Sequence, residues 1–317
     1  MSITSFFTLV SIRTKLISIL PFIFGSLYAL YAFDTFMPLH AIILFLSLLF
    51  FDMTIYMLNH YTKCKKENQI TVSEVHNPII REQLNPKHAK YLITSMFFTA
   101  MSLGLYLAYL TNFLVLILGL SCLIVGILYL KGTVPISHTP LSEFFFGTTI
   151  GLTLTFISIY IHAFNTDLFI LQIRANQLMM QCNLKLLIAI ITVSMPFMIT
   201  ASNIMFANNI CDVEKDLSAK HYTLPVYIGK EKALILWEIS YYSVYIFILI
   251  AILTNHLPWI CLASFITFVP VKHHIDHFKL RQVKNETFAN AVQIFILISC
   301  SLIGTLLIDI FVNKYLF

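Results

Sequence analysis

Apolar residues dominate this chain in long, almost uncharged runs, and polar residues collect in the short stretches between them. A run of about 20 apolar residues, wound as a helix, spans the roughly 30 Å hydrocarbon core of a bilayer. Nine runs are predicted to cross, at residues 15–33, 39–58, 91–110, 112–130, 141–163, 184–206, 233–254, 257–272 and 288–312. The third and fourth are joined almost directly at Thr111-Asn112, which predicts an antiparallel helical hairpin. No linker rich in Pro, Gly or Ser and no low-complexity tract interrupts the series, so residues 1–317 are expected to form one all-α membrane domain. The first run continues too far for a cleaved signal peptide and lacks a small-residue cleavage site.

Composition agrees. The chain is 58% hydrophobic and 11% charged, against about 25% charged in soluble domains. Seventeen of its 20 Lys and Arg lie at or before residue 15 or around 59–90, 131–140, 207–232 and 272–287. Only Arg174, Lys185 and Lys314 lie on the other side. Positive charge marks the cytoplasmic loops of membrane proteins, so the N-terminus and the loops after spans 2 and 6 are expected to be cytoplasmic. This topology accounts for the net charge of +5, and no nucleic acid is invoked. The six cysteines, at 64, 122, 182, 211, 261 and 300, contain no C-x-x-C. They indicate neither a disulfide framework nor a zinc site.

The polar stretch that most invites chemistry is Asn208-Asn209-Ile210-Cys211-Asp212-Val213-Glu214-Lys215-Asp216. On a helix, Asn208, Asp212 and Asp216 follow one another a turn apart and share a face. Mg²⁺ seeks such oxygen ligands, often one or two carboxylates completed by substrate phosphates. The pattern also describes a solvated helix end with two ordinary acids. The cytoplasmic loop after span 2 carries Asn59-His60-Tyr61-Thr62-Lys63-Cys64-Lys65-Lys66-Glu67 and, further on, Arg81.

With these two loops the chain resembles the UbiA superfamily of intramembrane prenyltransferases, and within it the 1,4-dihydroxy-2-naphthoate prenyltransferases of menaquinone synthesis. The likeness covers most of the chain. It rests on Arg13, Pro21 and Gly25 in span 1, and on Tyr129, Gly132, Pro135, Thr139-Pro140-Leu141 and Glu143 after span 4. After span 6 it rests on Asn208-Asn209-Ile210, Asp212, Asp216, Thr223-Leu224 and Gly229. The resemblance implies a nine-helix bundle in a bacterial cytoplasmic membrane. It also implies Mg²⁺ held by two Asp-rich motifs, a polyprenyl diphosphate donor and a dihydroxynaphthoate-like aromatic acceptor. Carried over residue by residue, it assigns catalysis to Asp212, Asp216, Asn59, Tyr129 and Lys131. Arg81, Lys63, Lys65, Asn208, Asn209 and Arg13 would hold diphosphate, and Asp212, Asp216, Asn208 and Glu67 would hold metal.

The chain also departs from that pattern. The family's first motif is N-D-x-x-D, and here His60 and Lys63 occupy both Asp positions. In the second motif Cys211 replaces Arg, and Lys220-His221-Tyr222 replaces Gly-Lys-Arg. Losing two carboxylates and gaining a cation weakens any second Mg²⁺ site. Lys63 would then neutralise diphosphate directly.

Asp52 lies two turns before Asn59 inside an apolar run; an intramembrane acid is costly, and is either functional or paired with a base from another helix. His273, His274, Asp276 and His277 cluster near the end of span 8 and read first as a titratable surface patch. Two alternatives to an enzyme remain open. One is a protein of this fold that binds isoprenoid or quinone without transferring it. The other is a transporter, which should carry broken mid-membrane helices or an internal repeat; neither is evident.

Overall fold

The computed structural model describes residues 12–66, 86–130, 134–174 and 177–315. Helix α1 (Ile12–Phe33) and α2 (Pro38–Lys66) are followed by α3 (Pro86–Leu110) and α4 (Phe113–Leu130). α5 (Ser142–Ala163) is a single rod with a π-helical turn at Thr148–Thr153. α6 (Leu184–Cys211) leads into the short helices α7 (Val213–Ser218) and α8 (Leu224–Ile228). α9 (Lys230–Leu253), a 3-10 segment (Trp259–Thr267) continuing into α10 (Phe268–Leu280), and α11 (Ala289–Tyr315) complete the bundle.

Seven of these helices are long and apolar enough to cross a membrane: α1, α2, α3, α5, α6, α9 and α11. The other two predicted spans fall in shorter elements. The apolar part of α4 covers Phe113–Tyr129. The span expected at 257–272 is divided between the 3-10 segment and α10, whose later residues include Lys272, Asp276 and Lys279. The count of nine therefore does not follow from helix length alone.

Close backbone contact positions the helices. With no hydrophobic drive between helices in lipid, small residues that admit tight approach become the determinants of packing. A Cβ placed on Gly25 would stand 2.6 Å from the Ser158 Cβ, so α1 and α5 lie backbone to backbone there. A Cβ on Gly147 would come 2.5 Å from the Met198 carbonyl oxygen, and one on Gly151 would strike the Met198 backbone. These glycines seat the π-turn of α5 directly on α6. Trp237 of α9 is fully buried and donates its indole N–H to the Asn203 carbonyl of α6 at 3.0 Å. Its ring packs on Phe278 of α10 at a centroid distance of 4.5 Å.

One element departs from the all-helical expectation. The loop between α5 and α6 forms an antiparallel hairpin of β1 (Phe169–Arg174) and β2 (Gln177–Cys182), in register from Phe169 opposite Cys182 to Arg174 opposite Gln177. Each strand is only six residues long, too short to stand out against neighbouring apolar runs of helical length. The hairpin lies at the end of the bundle opposite Asp212, since it precedes α6 and Asp212 follows it.

Candidate functional site

α6 carries the carboxylate pair to one end of the bundle. The Asp212 N–H donates to the carbonyls of Asn208 and Asn209, each at 3.2 Å, and the Asp216 N–H donates to the Asp212 carbonyl at 2.8 Å. Helical spacing thus persists across the junction of α6 and α7, and the two acids stand one turn apart as the sequence predicts. Asp212 forms an ion pair with Lys284, from the segment between α10 and α11. Asp216 accepts a hydrogen bond from the Thr223 hydroxyl at 3.2 Å and lies 3.6 Å from His221 Nδ1.

The chain reverses after α7 through a C-terminal cap. The His221 N–H donates to the Asp216 carbonyl at 2.8 Å and the Lys220 N–H to the Leu217 carbonyl at 3.1 Å. These are the two bonds of a Schellman motif, with Lys220 at the left-handed position, φ 58°. The reversal brings the His221 ring onto that of His138 at a centroid distance of 3.5 Å. The Tyr222 N–H donates to the His138 carbonyl at 3.1 Å. The segment before α5 is thereby tied to the carboxylate pair.

Beneath the acids lies a buried polar knot. Asn209 donates through Nδ2 to Glu143 Oε1 at 2.8 Å and to the Ser142 hydroxyl at 3.0 Å. Ser142 in turn donates to Glu143 Oε2 at 2.9 Å. All three side chains are buried. Asn208 extends the chain of bonds by donating to Asn209 Oδ1 at 3.3 Å. Buried polar groups require such pairing, and here it locks the start of α5 to the end of α6.

A cavity of about 340 Å³ opens below this cap. Lys15, Ser18, Asp52, Tyr56 and Tyr129 supply its polar lining, and Phe51, Phe145, Phe146, Ile150 and Met205 much of the rest. Met205 is one turn before Asn208, whose Nδ2 lies 3.9 Å from the Met205 sulfur, so the cavity meets the acid-bearing end of α6. A second space of about 160 Å³ shares Ser18, Phe51, Asp52, Cys122, Thr149 and Ile150 with the first and continues between Leu44, Leu107, Leu120 and Leu154. Together they form a largely apolar passage, in which Lys15, Tyr56 and Tyr129 line only the space nearer the acid-bearing end of α6.

The residues singled out in the sequence divide into three groups. Asp212, Asp216, Asn208 and Asn209 come together, with Tyr129 on the cavity wall below; the buried Tyr129 hydroxyl has no hydrogen-bond partner among the described residues. Arg13 lies in α1, and Asn59, Lys63 and Lys65 lie in α2; these helices reach the same end of the bundle, but the positions of these four side chains are outside the description. Glu67, Arg81 and Lys131 lie outside the described residues altogether. The His273–His277 cluster is a cross-link between helices: His274 Nδ1 and His277 Nδ1 lie 2.8 and 3.0 Å from the side-chain amide of Asn290 in α11. No group of three metal-ligating His, Cys, Asp or Glu side chains is found among the described residues.

Three participants were not singled out for this site. Glu143 belongs to the T-P-L-x-E pattern, and its burial against Asn209 is what that pattern does not reveal. Lys284 is 72 residues from Asp212, and no local spacing signals their meeting. Lys15 was counted only as topological charge, yet its side chain is buried at the cavity wall.

The fold and site define a polytopic helical membrane protein with an acid-bearing cap over an internal apolar passage. Residues 18–314 match the UbiA prenyltransferase family, and the chain belongs to that family. It is 26% identical over 282 residues to 1,4-dihydroxy-2-naphthoate octaprenyltransferase of Bacillus subtilis (strain 168), covering 88% of this chain and 82% of that protein. Its fold is similar to that of a UbiA homologue of Archaeoglobus fulgidus bound to GPP and Mg²⁺, with a TM-score of 0.66, 14% identity, and 96% and 99% of the two chains covered. It is equally similar to the apo structure of a UbiA homologue of Aeropyrum pernix K1, with a TM-score of 0.66, 16% identity, and 92% and 98% coverage.

Proposed function

We propose that this protein transfers a polyprenyl group from its diphosphate to an aromatic acceptor, 1,4-dihydroxy-2-naphthoate, in menaquinone synthesis. The observation that carries this reading is the placement of Asp212 and Asp216, with Asn208 and Asn209, at the end of a largely apolar passage. A polyprenyl diphosphate has the same polarity, an anionic head on a hydrocarbon tail. The naphthoate octaprenyltransferase of B. subtilis supports the choice of acceptor and pathway. The GPP- and Mg²⁺-bound A. fulgidus homologue supports a metal-assisted donor site.

The donor set suits Mg²⁺: two carboxylates and an amide oxygen leave positions for water and phosphate. Asp212 and Asp216 would hold the ion, with Asn208 and Glu67 assisting. Bound there, it would stabilise the diphosphate as the allylic C–O bond breaks. Lys63, Lys65, Arg81, Lys131 and Arg13 surround the diphosphate in this reading, and Tyr129 and Asn59 donate to its oxygens. The buried Tyr129 hydroxyl is a donor awaiting such a partner. Apolar walls exclude water from the allylic cation. The whole chain then acts as one membrane domain with nine crossings. The 3-10 segment at Trp259–Thr267 supports that number: at about 2 Å per residue it carries a short apolar sequence about 18 Å. Its N-terminus and acid-bearing loops face the cytoplasm in this reading, which the charge bias supports.

Two observations favour a second reading, a protein that binds isoprenoid or quinone without transferring it. Lys284 already engages Asp212, while His60 and Lys63 replace two acids of the first motif. Prenyl transfer in membranes supplied with 1,4-dihydroxy-2-naphthoate, polyprenyl diphosphates and Mg²⁺ separates the two. Product that disappears in Asp212→Ala/Asp216→Ala establishes the enzyme. Folded protein that stays silent across acceptors and chain lengths supports binding alone.

A further inference from the structure

Asp52 is an acid set deep in an apolar helix, and the cap described above makes no use of it. It lines both the upper cavity and the deeper one, where the two spaces meet. Ser18 of α1 donates its hydroxyl to Asp52 Oδ2. Lys15, one turn earlier on α1, lines the same upper cavity as Asp52. Yet these two are not among the ion pairs of the described residues.

That arrangement is unlike an acid kept only for structure. An intramembrane carboxylate is expensive, and one present merely to neutralise Lys15 would close directly on its ammonium. Among the described residues Asp52 instead takes one hydrogen bond, from the neutral Ser18 hydroxyl, while a carboxylate can accept about four. Its remaining acceptor capacity borders the passage. Of the two proposed substrates, only one can use it. A diphosphate offers no donors and is repelled by a carboxylate; a prenyl tail has no polar atoms. A hydroxylated aromatic ring carries O–H donors. Asp52 is also about 10 Å below Asn59 along α2, beneath the expected diphosphate position rather than within it.

We propose that Asp52, oriented by Ser18, receives a ring hydroxyl of the aromatic acceptor and so selects hydroxylated rings for the upper cavity. This rests on the prenyltransferase reading and adds to it the residue that recognises the acceptor.

The test compares kcat/KM for 1,4-dihydroxy-2-naphthoate with that for 1-hydroxy- and 4-hydroxy-2-naphthoate, in the wild type, Asp52→Ala, Asp52→Asn and Ser18→Ala. Intrinsic ring reactivity is common to all four proteins and cancels in the comparison. For one of the two hydroxyls, the preference for the dihydroxy ring should narrow about 10-fold in Asp52→Ala, as expected for losing one buried hydrogen bond. It should narrow less in Asp52→Asn, and KM for the polyprenyl diphosphate should stay unchanged in both. Asp52→Asn preserves shape and the Ser18 contact, so it decides the matter should Asp52→Ala fail to fold. Equal preference in the wild type and the Asp52 variants overturns the assignment, as does a rise confined to the diphosphate KM. A wild type silent with every acceptor is a separate failure, seen before any variant, and removes the enzyme reading together with this one.

Discussion

Lys284 closes on Asp212 from a segment 72 residues away, and so sets a cation on one of the two carboxylates best suited to a metal. Both side chains are partly exposed, and such pairs contribute little to stability. Their competition with a divalent cation is another matter, because both act on the same oxygens. In Lys284→Met, the affinity for Mn²⁺ as a Mg²⁺ probe should rise about 3- to 10-fold without substrate, with the thermal midpoint nearly unchanged. Mn²⁺ titration followed by electron paramagnetic resonance reads the first, and unfolding in detergent the second. Unaltered Mn²⁺ affinity would mean that Asp212 is not a ligand.

Glu143 is the keystone of the buried knot, since both of its oxygens are used, by Asn209 and Ser142. Glu143→Leu leaves the Ser142 hydroxyl without its acceptor and Asn209 with Ser142 as its one remaining acceptor in the knot, a loss of about 1–3 kcal/mol. Glu143→Gln keeps the shape and one acceptor, and should lose less. The position of Asn209, and with it the end of α6, depends on this knot. Transfer activity should therefore fall in the order wild type, Gln, Leu, with stability in detergent following the same order.

Lys220 holds φ 58° where the family pattern has glycine. A side chain in the left-handed region costs roughly 1 kcal/mol, and Gly meets the requirement of a Schellman cap directly. Lys220→Gly should accordingly raise stability by about 0.5–1 kcal/mol, read as a higher unfolding midpoint in detergent. A lowered midpoint would show that the lysine side chain makes a contribution larger than the strain.

Much of this architecture is legible because lipid imposes a simple rule, that apolar runs of sufficient length become helices. The runs at 15–33 and 184–206 emerge with nearly the predicted bounds, and α6 extends just far enough to deliver Asn208 and Asp212 on one face. The Thr111-Asn112 hairpin is equally legible, since two long apolar helices joined by two residues can only fold back on each other. What could not be read depends on distant meetings. The Asn209–Glu143 and Lys284–Asp212 pairs join segments 66 and 72 residues apart. The His273–His277 group has a helical spacing compatible with a surface patch or a metal site, and only the arrival of Asn290 from α11 reveals a cross-link. The short β1–β2 hairpin escapes for a related reason: its stability lies in pairing between strands, not in either strand's own pattern.

The first motif provides the last expectation. His60 and Lys63 stand where the family pattern has two acids, so the divalent-ion requirement should rest mainly on Asp212 and Asp216. Restoring both carboxylates in His60→Asp/Lys63→Asp adds oxygen ligands and removes a positive charge from the same loop. Divalent cations should then bind more tightly, by about 10-fold or more for two added carboxylates near a shared ion. The Mg²⁺ concentration for half-maximal prenyl transfer should fall accordingly. A direct role for Lys63 on the diphosphate predicts a distinct signature: the same variant should show a raised KM for polyprenyl diphosphate at saturating Mg²⁺. Titrating Mg²⁺ and donor separately distinguishes these effects. Half-maximal Mg²⁺ and donor KM both unchanged would mean that residues 60 and 63 lie away from the reacting diphosphate, leaving the second carboxylate pair as the whole metal site.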